Sequence, residues 1–157
     1  MFRGCVMLGA LALMGCTAYG ELSSGYVHSV TGHPGRQGLG LHASAGYGSG
    51  DSGIGVSSRA RITEAVQQVG AGTHLFLLEG ESPIWYGRLG MDAFQIGRVD
   101  ERFNVNVASP YFDWGVFALG WMSLSLTVQY DWRLSDAGND VWLGALFGIG
   151  RAERVRW

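Results

Sequence analysis

The chain has 157 residues and a net charge of −2, so it is the size of one domain and lacks the basic surface that binding to nucleic acid requires. Charged residues make up 15% of the chain, well below the quarter that is usual in soluble domains. Aromatic residues make up 12%, and there are 26 glycines. This composition is typical of a protein whose surface faces lipid.

The first segment predicts export from the cytoplasm. A short positive start, 1–3, is followed by an uncharged apolar run, 4–15. This order describes a secretory signal peptide. The run is too short for a membrane-spanning helix, which needs about 20 apolar residues.

The end of this run, Leu13-Met14-Gly15-Cys16, resembles the lipobox of bacterial lipoproteins. The resemblance implies that residues 1–15 are removed as a signal peptide and that Cys16 is lipidated. It also implies a place in the outer membrane of a Gram-negative bacterium, because Thr17 stands where the family has Asp for retention at the inner membrane. The cut would leave Cys16 as the single cysteine, so no disulfide is expected. An ordinary secretory signal and an uncleaved N-terminal anchor stay open.

Residues 16–37 are rich in Gly and Ser and show no sustained period, which predicts a lipid anchor followed by a flexible tether. From residue 38 the apolar side chains recur at every second position, as in β-strands. This period predicts strands at 39–47, 54–62, 69–78, 84–95, 103–107, 112–121, 123–133 and 141–149. Turns are expected at 48–51, 79–83, 97–100, 109–110 and 136–140. A weak helix pattern lies at 63–68.

Eight strands of about ten residues predict an all-β domain over 38–157, an antiparallel up-and-down barrel without a free sheet edge. The pattern resembles small outer-membrane barrels, whose tilted strands have this length and whose rims carry Trp and Tyr. In that arrangement the apolar face points to lipid and the polar face fills the lumen. The side chains then expected as interior charges are Arg59, Arg61, Arg88, Asp92, Asp131 and Arg133.

The opposite orientation of the two strand faces predicts a different class of protein. If the apolar face points inward, the domain is a lipid-anchored periplasmic barrel of lipocalin type that binds an apolar ligand. Few charges and an abundance of Gly on the polar face favour the membrane arrangement, since the interior of a small barrel is crowded.

The sequence contains few residues in patterns that are typical of catalytic or ligand-binding sites. His42, Ser44 and Glu64 are the residues to examine for a lipid-active hydrolase, but their spacing is not that of a catalytic triad. No glycine motif has the helix and Lys of a phosphate loop, and neither a metal nor a cofactor is expected. The sequence therefore predicts a non-enzymatic outer-membrane lipoprotein, structural or in assembly, whose partners are outer-membrane lipid and other envelope proteins.

Overall fold

A computed structural model describes residues 16–31, 34–132 and 139–155. The predicted signal peptide, 1–15, and Arg133 lie outside the described residues. The strands are β1 (Cys16–Ser29), β2 (Gln37–Ser49), β3 (Ser52–Thr63), β4 (Val66–Glu79), β5 (Ile84–Val99), β6 (Arg102–Ala118), β7 (Met122–Asp131) and β8 (Asp140–Val155).

Each strand pairs antiparallel with the next, and β8 pairs with β1, so the sheet closes on itself. The prediction of a closed, eight-stranded, antiparallel barrel is confirmed. No helix in the described part of the chain is long and apolar enough to cross a membrane.

Strand β1 overturns the predicted tether. Residues 16–29 pair with both β2 and β8, and the barrel begins at Cys16 rather than at residue 38. The period was hidden because small or polar residues occupy both faces of the strand: Thr17, Glu21 and Ser23 point inward, and Gly20 and Ser24 point outward.

Strand β6 was predicted as two strands separated by a turn at 109–110. In the structure Asp92 pairs with Ser109 and Phe94 pairs with Val107, so Ala93 and Ala108 are extra residues in facing bulges. Ala108 adopts a φ of 60°. A bulge shifts the alternation by one position, which explains why 103–107 and 112–121 follow different phases.

The weak helix pattern at 63–68 is also wrong. Thr63 ends β3, Val66 begins β4, and residues 64–65 form the turn between them. The Thr63 hydroxyl accepts a hydrogen bond from the Val66 amide over 2.8 Å, which stabilises this tight connection.

The barrel has two unlike ends. The terminal end carries Cys16, Val155 and the turns 50–51, 80–83 and 119–121, and the opposite end carries residues 30–31, 34–36, 64–65, 100–101, 132 and 139. At the opposite end the turns are joined by backbone hydrogen bonds, from the Ala65 amide to the Gly35 carbonyl (3.0 Å) and from the Asp100 amide to the Ala65 carbonyl (2.8 Å). These bonds tie neighbouring turns to one another.

Candidate functional site

The outer wall of the barrel is an apolar band. Large hydrophobic side chains face outward on every strand; Leu22, Ile54, Leu75, Leu89 and Leu126 are 56–69% exposed. Within the described ranges, the exposed charged residues lie in turns or within four residues of a strand end. The middle of the wall is therefore uncharged.

Aromatic rings border this band. The outward-facing Trp and Tyr residues of the described chain all lie within four residues of a strand end: Tyr26, Tyr47, Trp85, Trp114, Trp121, Tyr130 and Trp132. Trp85 stacks on Trp114 with ring centroids 5.2 Å apart. Amphipathic rings at both borders of an apolar band are typical of a barrel that crosses a bilayer.

The outward apolar face corrects the lipocalin-type alternative. That alternative requires apolar side chains around an internal ligand cavity, whereas the middle of the lumen holds charged and polar side chains and the buried apolar side chains pack into two clusters. A lumen cavity lined by His42, Arg59 and Trp142 measures about 20 Å³, room for roughly one water molecule.

An ion-pair network crosses the middle of the lumen. The Arg88 guanidinium contacts the carboxylates of Glu21 (Nη1–Oε2, 2.7 Å) and Asp113 (Nε–Oδ2, 3.2 Å). Arg59 reaches the same Asp113 oxygen over 2.5 Å and donates to the Thr127 hydroxyl over 3.0 Å. These four charged groups are at most 7% exposed, so each carboxylate is neutralised by arginine without help from bulk water.

A second network lies beside the first. Arg61 pairs with Asp131 over 2.7 Å and donates to the Gln95 amide oxygen over 2.5 Å. Asp92 accepts hydrogen bonds from the amides of Gln95 (3.0 Å) and Gln129 (2.7 Å). The facing bulges put Asp92 and Gln95 on the same inner face although they are three residues apart.

Apolar layers lie on both sides of the charged zone. The layer toward the terminal end consists of Tyr19, Phe76, Leu78, Tyr86 and Phe117. The layer toward the opposite end consists of Val27, Val66, Val99, Trp142 and Leu146. The charged networks are thus enclosed above and below by packed side chains.

Arg36 connects two elements at the opposite end of the barrel through ion pairs. Arg36 is 4% exposed and pairs with Asp140 (2.9 Å) on β8 and with Asp100 (2.8 Å) in the 100–101 turn. Asp140 also accepts a hydrogen bond from the Thr31 hydroxyl over 2.8 Å. Thr31 and Arg36 are therefore held at this end of the barrel by side-chain bonds to Asp140, in addition to the backbone hydrogen bond from the Ser29 amide to the Arg36 carbonyl.

The structure places five of the six predicted interior charges in the lumen, at 0–7% exposure: Arg59, Arg61, Arg88, Asp92 and Asp131. The sixth, Arg133, lies outside the described residues. Sequence reasoning missed Glu21, which was assigned to the tether, and Arg36 and Asp140. The alternation along β1 that puts Glu21 on the inner face is visible in the structure but has too little contrast in the sequence to identify this residue.

Cys16, the predicted lipidation site, is the first residue of β1 at the rim of the terminal end. Its neighbour Thr17 is 1% exposed and points into the lumen, so the Cys16 side chain points outward. The Cys16 sulfur lies 3.0 Å from the Tyr47 hydroxyl on β2.

The three residues considered for hydrolysis are not assembled. His42 and Ser44 share the inner face of β2, but Glu64 is exposed in a turn at the opposite end. Ser44 accepts a hydrogen bond from Arg88, and neither ring nitrogen of His42 has a hydrogen-bond partner among the described residues. A base oriented by a third group is therefore missing.

The other buried histidine has a structural environment. His74 hydrogen-bonds the Tyr19 hydroxyl through Nε2 and the Tyr111 hydroxyl through Nδ1 (3.1 Å). Within the described ranges, no group of three or more His, Cys, Asp or Glu side chains is arranged to hold a metal ion.

Glycine makes room for this buried ring. A Cβ at Gly55 would collide with His74 Nε2 and lie 2.5 Å from the Ala45 carbonyl oxygen. We expect Gly55→Ala to destabilise the barrel by about 1–3 kcal/mol, the usual cost of overpacking, in a urea titration of the folded protein. The matched control is Gly87→Ala on β5, where a Cβ has nothing within 4 Å. Equal stability of the two variants would show that the His74 cluster is loosely packed.

Fold and surface together define the class: a small, closed, eight-stranded antiparallel barrel with an apolar exterior and a filled, charged lumen. The solved structures that are similar to this chain include the following two. Neisserial surface protein A (NspA) is 16% identical, with 90% of this chain and 97% of that chain covered and a TM-score of 0.51. Ail, the attachment invasion locus protein of Yersinia pestis, is 12% identical, with 87% and 98% covered and a TM-score of 0.49. The likeness to NspA shows the shared fold.

No protein-family model and no curated protein sequence matches this chain.

Proposed function

We propose that the protein is a non-enzymatic component of the bacterial outer membrane, embedded by its barrel and anchored by lipid on Cys16. The observation that carries the proposal is the orientation of the wall, with uncharged apolar side chains outward and ion pairs inward. In water this surface would be a large exposed apolar patch, which soluble monomers avoid. In a bilayer it is the expected lipid contact.

The filled lumen argues against two of the functions that a membrane barrel can have. Packed apolar layers on both sides of the charged networks leave no route for solutes, so a porin function is not supported. His42 and Ser44 lie inside the wall, where a lipid substrate does not reach them, so hydrolase chemistry lacks support too. A structural or assembly role among other envelope proteins fits best.

Lipidation of Cys16 is compatible with this geometry. The residue lies at the rim where β1 begins and β8 ends, and its side chain points outward beside Tyr47, in the aromatic border. Acyl chains on the sulfur would enter the bilayer without crossing the barrel wall.

The first test is to express residues 17–157 without signal or lipid. We expect a product that aggregates in buffer but folds in detergent micelles, with a mobility on gels that changes on heating. A β-rich monomer that stays soluble without detergent would overturn the membrane location.

The second test concerns the anchor and uses the full-length protein expressed in a Gram-negative host. The intact mass of the purified protein should equal residues 16–157 plus a diacylglycerol and an amide-linked acyl group. The Cys16→Ala variant should lack this addition. An unmodified mass, or a cut at another residue, would remove the lipoprotein assignment while leaving the barrel proposal intact.

A further inference from the structure

A groove runs along the outer wall near the terminal end. It crosses β2 to β5, has a volume of about 840 Å³, and is lined by outward side chains that include Tyr47, Ile54, Val56, Leu75, Leu89 and Met91. The lining carries no charged side chain. Such a groove fits an apolar occupant, and it is continuous with the apolar band that the proposed function places in the bilayer.

Cys16 lies at one end of this groove. Its sulfur is 3.0 Å from the Tyr47 hydroxyl, and the Tyr47 ring forms part of the groove lining. Because β1 begins at Cys16, no flexible linker separates the cysteine from the wall. A group attached to the sulfur therefore starts beside the groove, pointing outward.

We propose that the groove seats the acyl chains carried by Cys16, so that the anchor packs against the barrel's own wall. This inference rests on the proposed lipidation of Cys16. A lipoprotein with a flexible tether lets its anchor lie anywhere in the leaflet, whereas the paired backbone of β1 fixes this attachment point at the mouth of an apolar groove.

The experiment places a photoreactive benzoylphenylalanine at Val56, inside the groove, in the full-length protein. The matched control carries the same group at Val128 on β7, which also faces outward but lies outside the groove. Protein whose intact mass confirms the lipid is diluted in detergent and irradiated, and the linked peptides are identified by mass spectrometry. We expect severalfold more cross-linking between position 56 and the acyl chains on Cys16 than from position 128.

Filling the groove gives a second comparison. Ala45→Trp adds a large ring to the groove lining, and Ala145→Trp adds one to β8 outside it. Heat-modifiable gel mobility verifies that both variants fold. The cross-link from position 56 should fall in Ala45→Trp and persist in Ala145→Trp.

The outcomes separate the two proposals. Equal yields at positions 56 and 128, or a link from position 56 to detergent in place of the acyl chains, would overturn the proposal that the groove holds the acyl chains, while the lipoprotein assignment stands. A protein without lipid on Cys16 would overturn both, and its mass reveals this before any irradiation.

Discussion

Replacing Arg88 by Met is expected to destabilise the folded barrel by about 3–5 kcal/mol, because the substitution removes the arginine from the buried Glu21 carboxylate and one of the two arginines from the buried Asp113 carboxylate. The Arg88 guanidinium contacts these two carboxylates at 2.7 and 3.2 Å and lies 4.5 Å above the Tyr86 ring. Urea unfolding in detergent or lipid vesicles, followed by tryptophan fluorescence, measures the change in the free energy of unfolding.

Two controls isolate the buried charge. Arg151→Met removes an arginine of the exposed pair with Glu153, 3.0 Å apart with Arg151 74% exposed, and should cost less than about 1 kcal/mol. Adding Glu21→Gln to Arg88→Met should restore part of the lost stability, since it removes an uncompensated charge. If Arg88→Met unfolds at the same urea concentration as the parent, the lumen network does not stabilise the barrel.

Placing arginine at Leu126, in the middle of β7, is expected to cost about 2–4 kcal/mol in a bilayer, the usual range for a cation at mid-depth on a lipid-facing wall. Leu126 is 56% exposed and faces outward. Unfolding in vesicles of defined thickness measures the effect against the parent protein.

The control is Leu77→Arg, two residues before the end of β4, where the side chain is 58% exposed near the border of the band. Its cost should fall to about 0–1 kcal/mol because the cation reaches the interface. Equal costs at both positions, or higher solubility of Leu126→Arg in plain buffer, would contradict a membrane-spanning wall.

The fold was largely predictable because strand period depends on local sequence. From residue 38 onward, apolar and polar residues alternate strongly enough to identify strands and a barrel. Strand β1 escaped because its outward positions include Gly20 and Ser24, so its two faces have little contrast. The count of eight came out right because the missed β1 was offset by the division of β6 into two.

The interior was predictable in part. The alternation of polar and apolar residues was enough to predict that Arg59, Arg61 and Arg88 point inward. Their ion-pair partners could not be predicted, because these depend on the register of strands that are distant in the sequence. The Asp113 carboxylate forms ion pairs with both Arg59 and Arg88. The Asp92 carboxylate instead accepts hydrogen bonds from the side-chain amides of Gln95 and Gln129. The facing bulges at Ala93 and Ala108 decide these distances, and a strict period of two cannot reveal an extra residue.

The two packed layers at either side of the lumen charges have a consequence for the cell. Each added copy of a porin opens another route for solutes and antibiotics, so its abundance must be balanced against leakage. A barrel filled by its own side chains has no such penalty. In the proposed location, the cell can therefore raise the number of copies in the outer membrane without raising the permeability of that membrane.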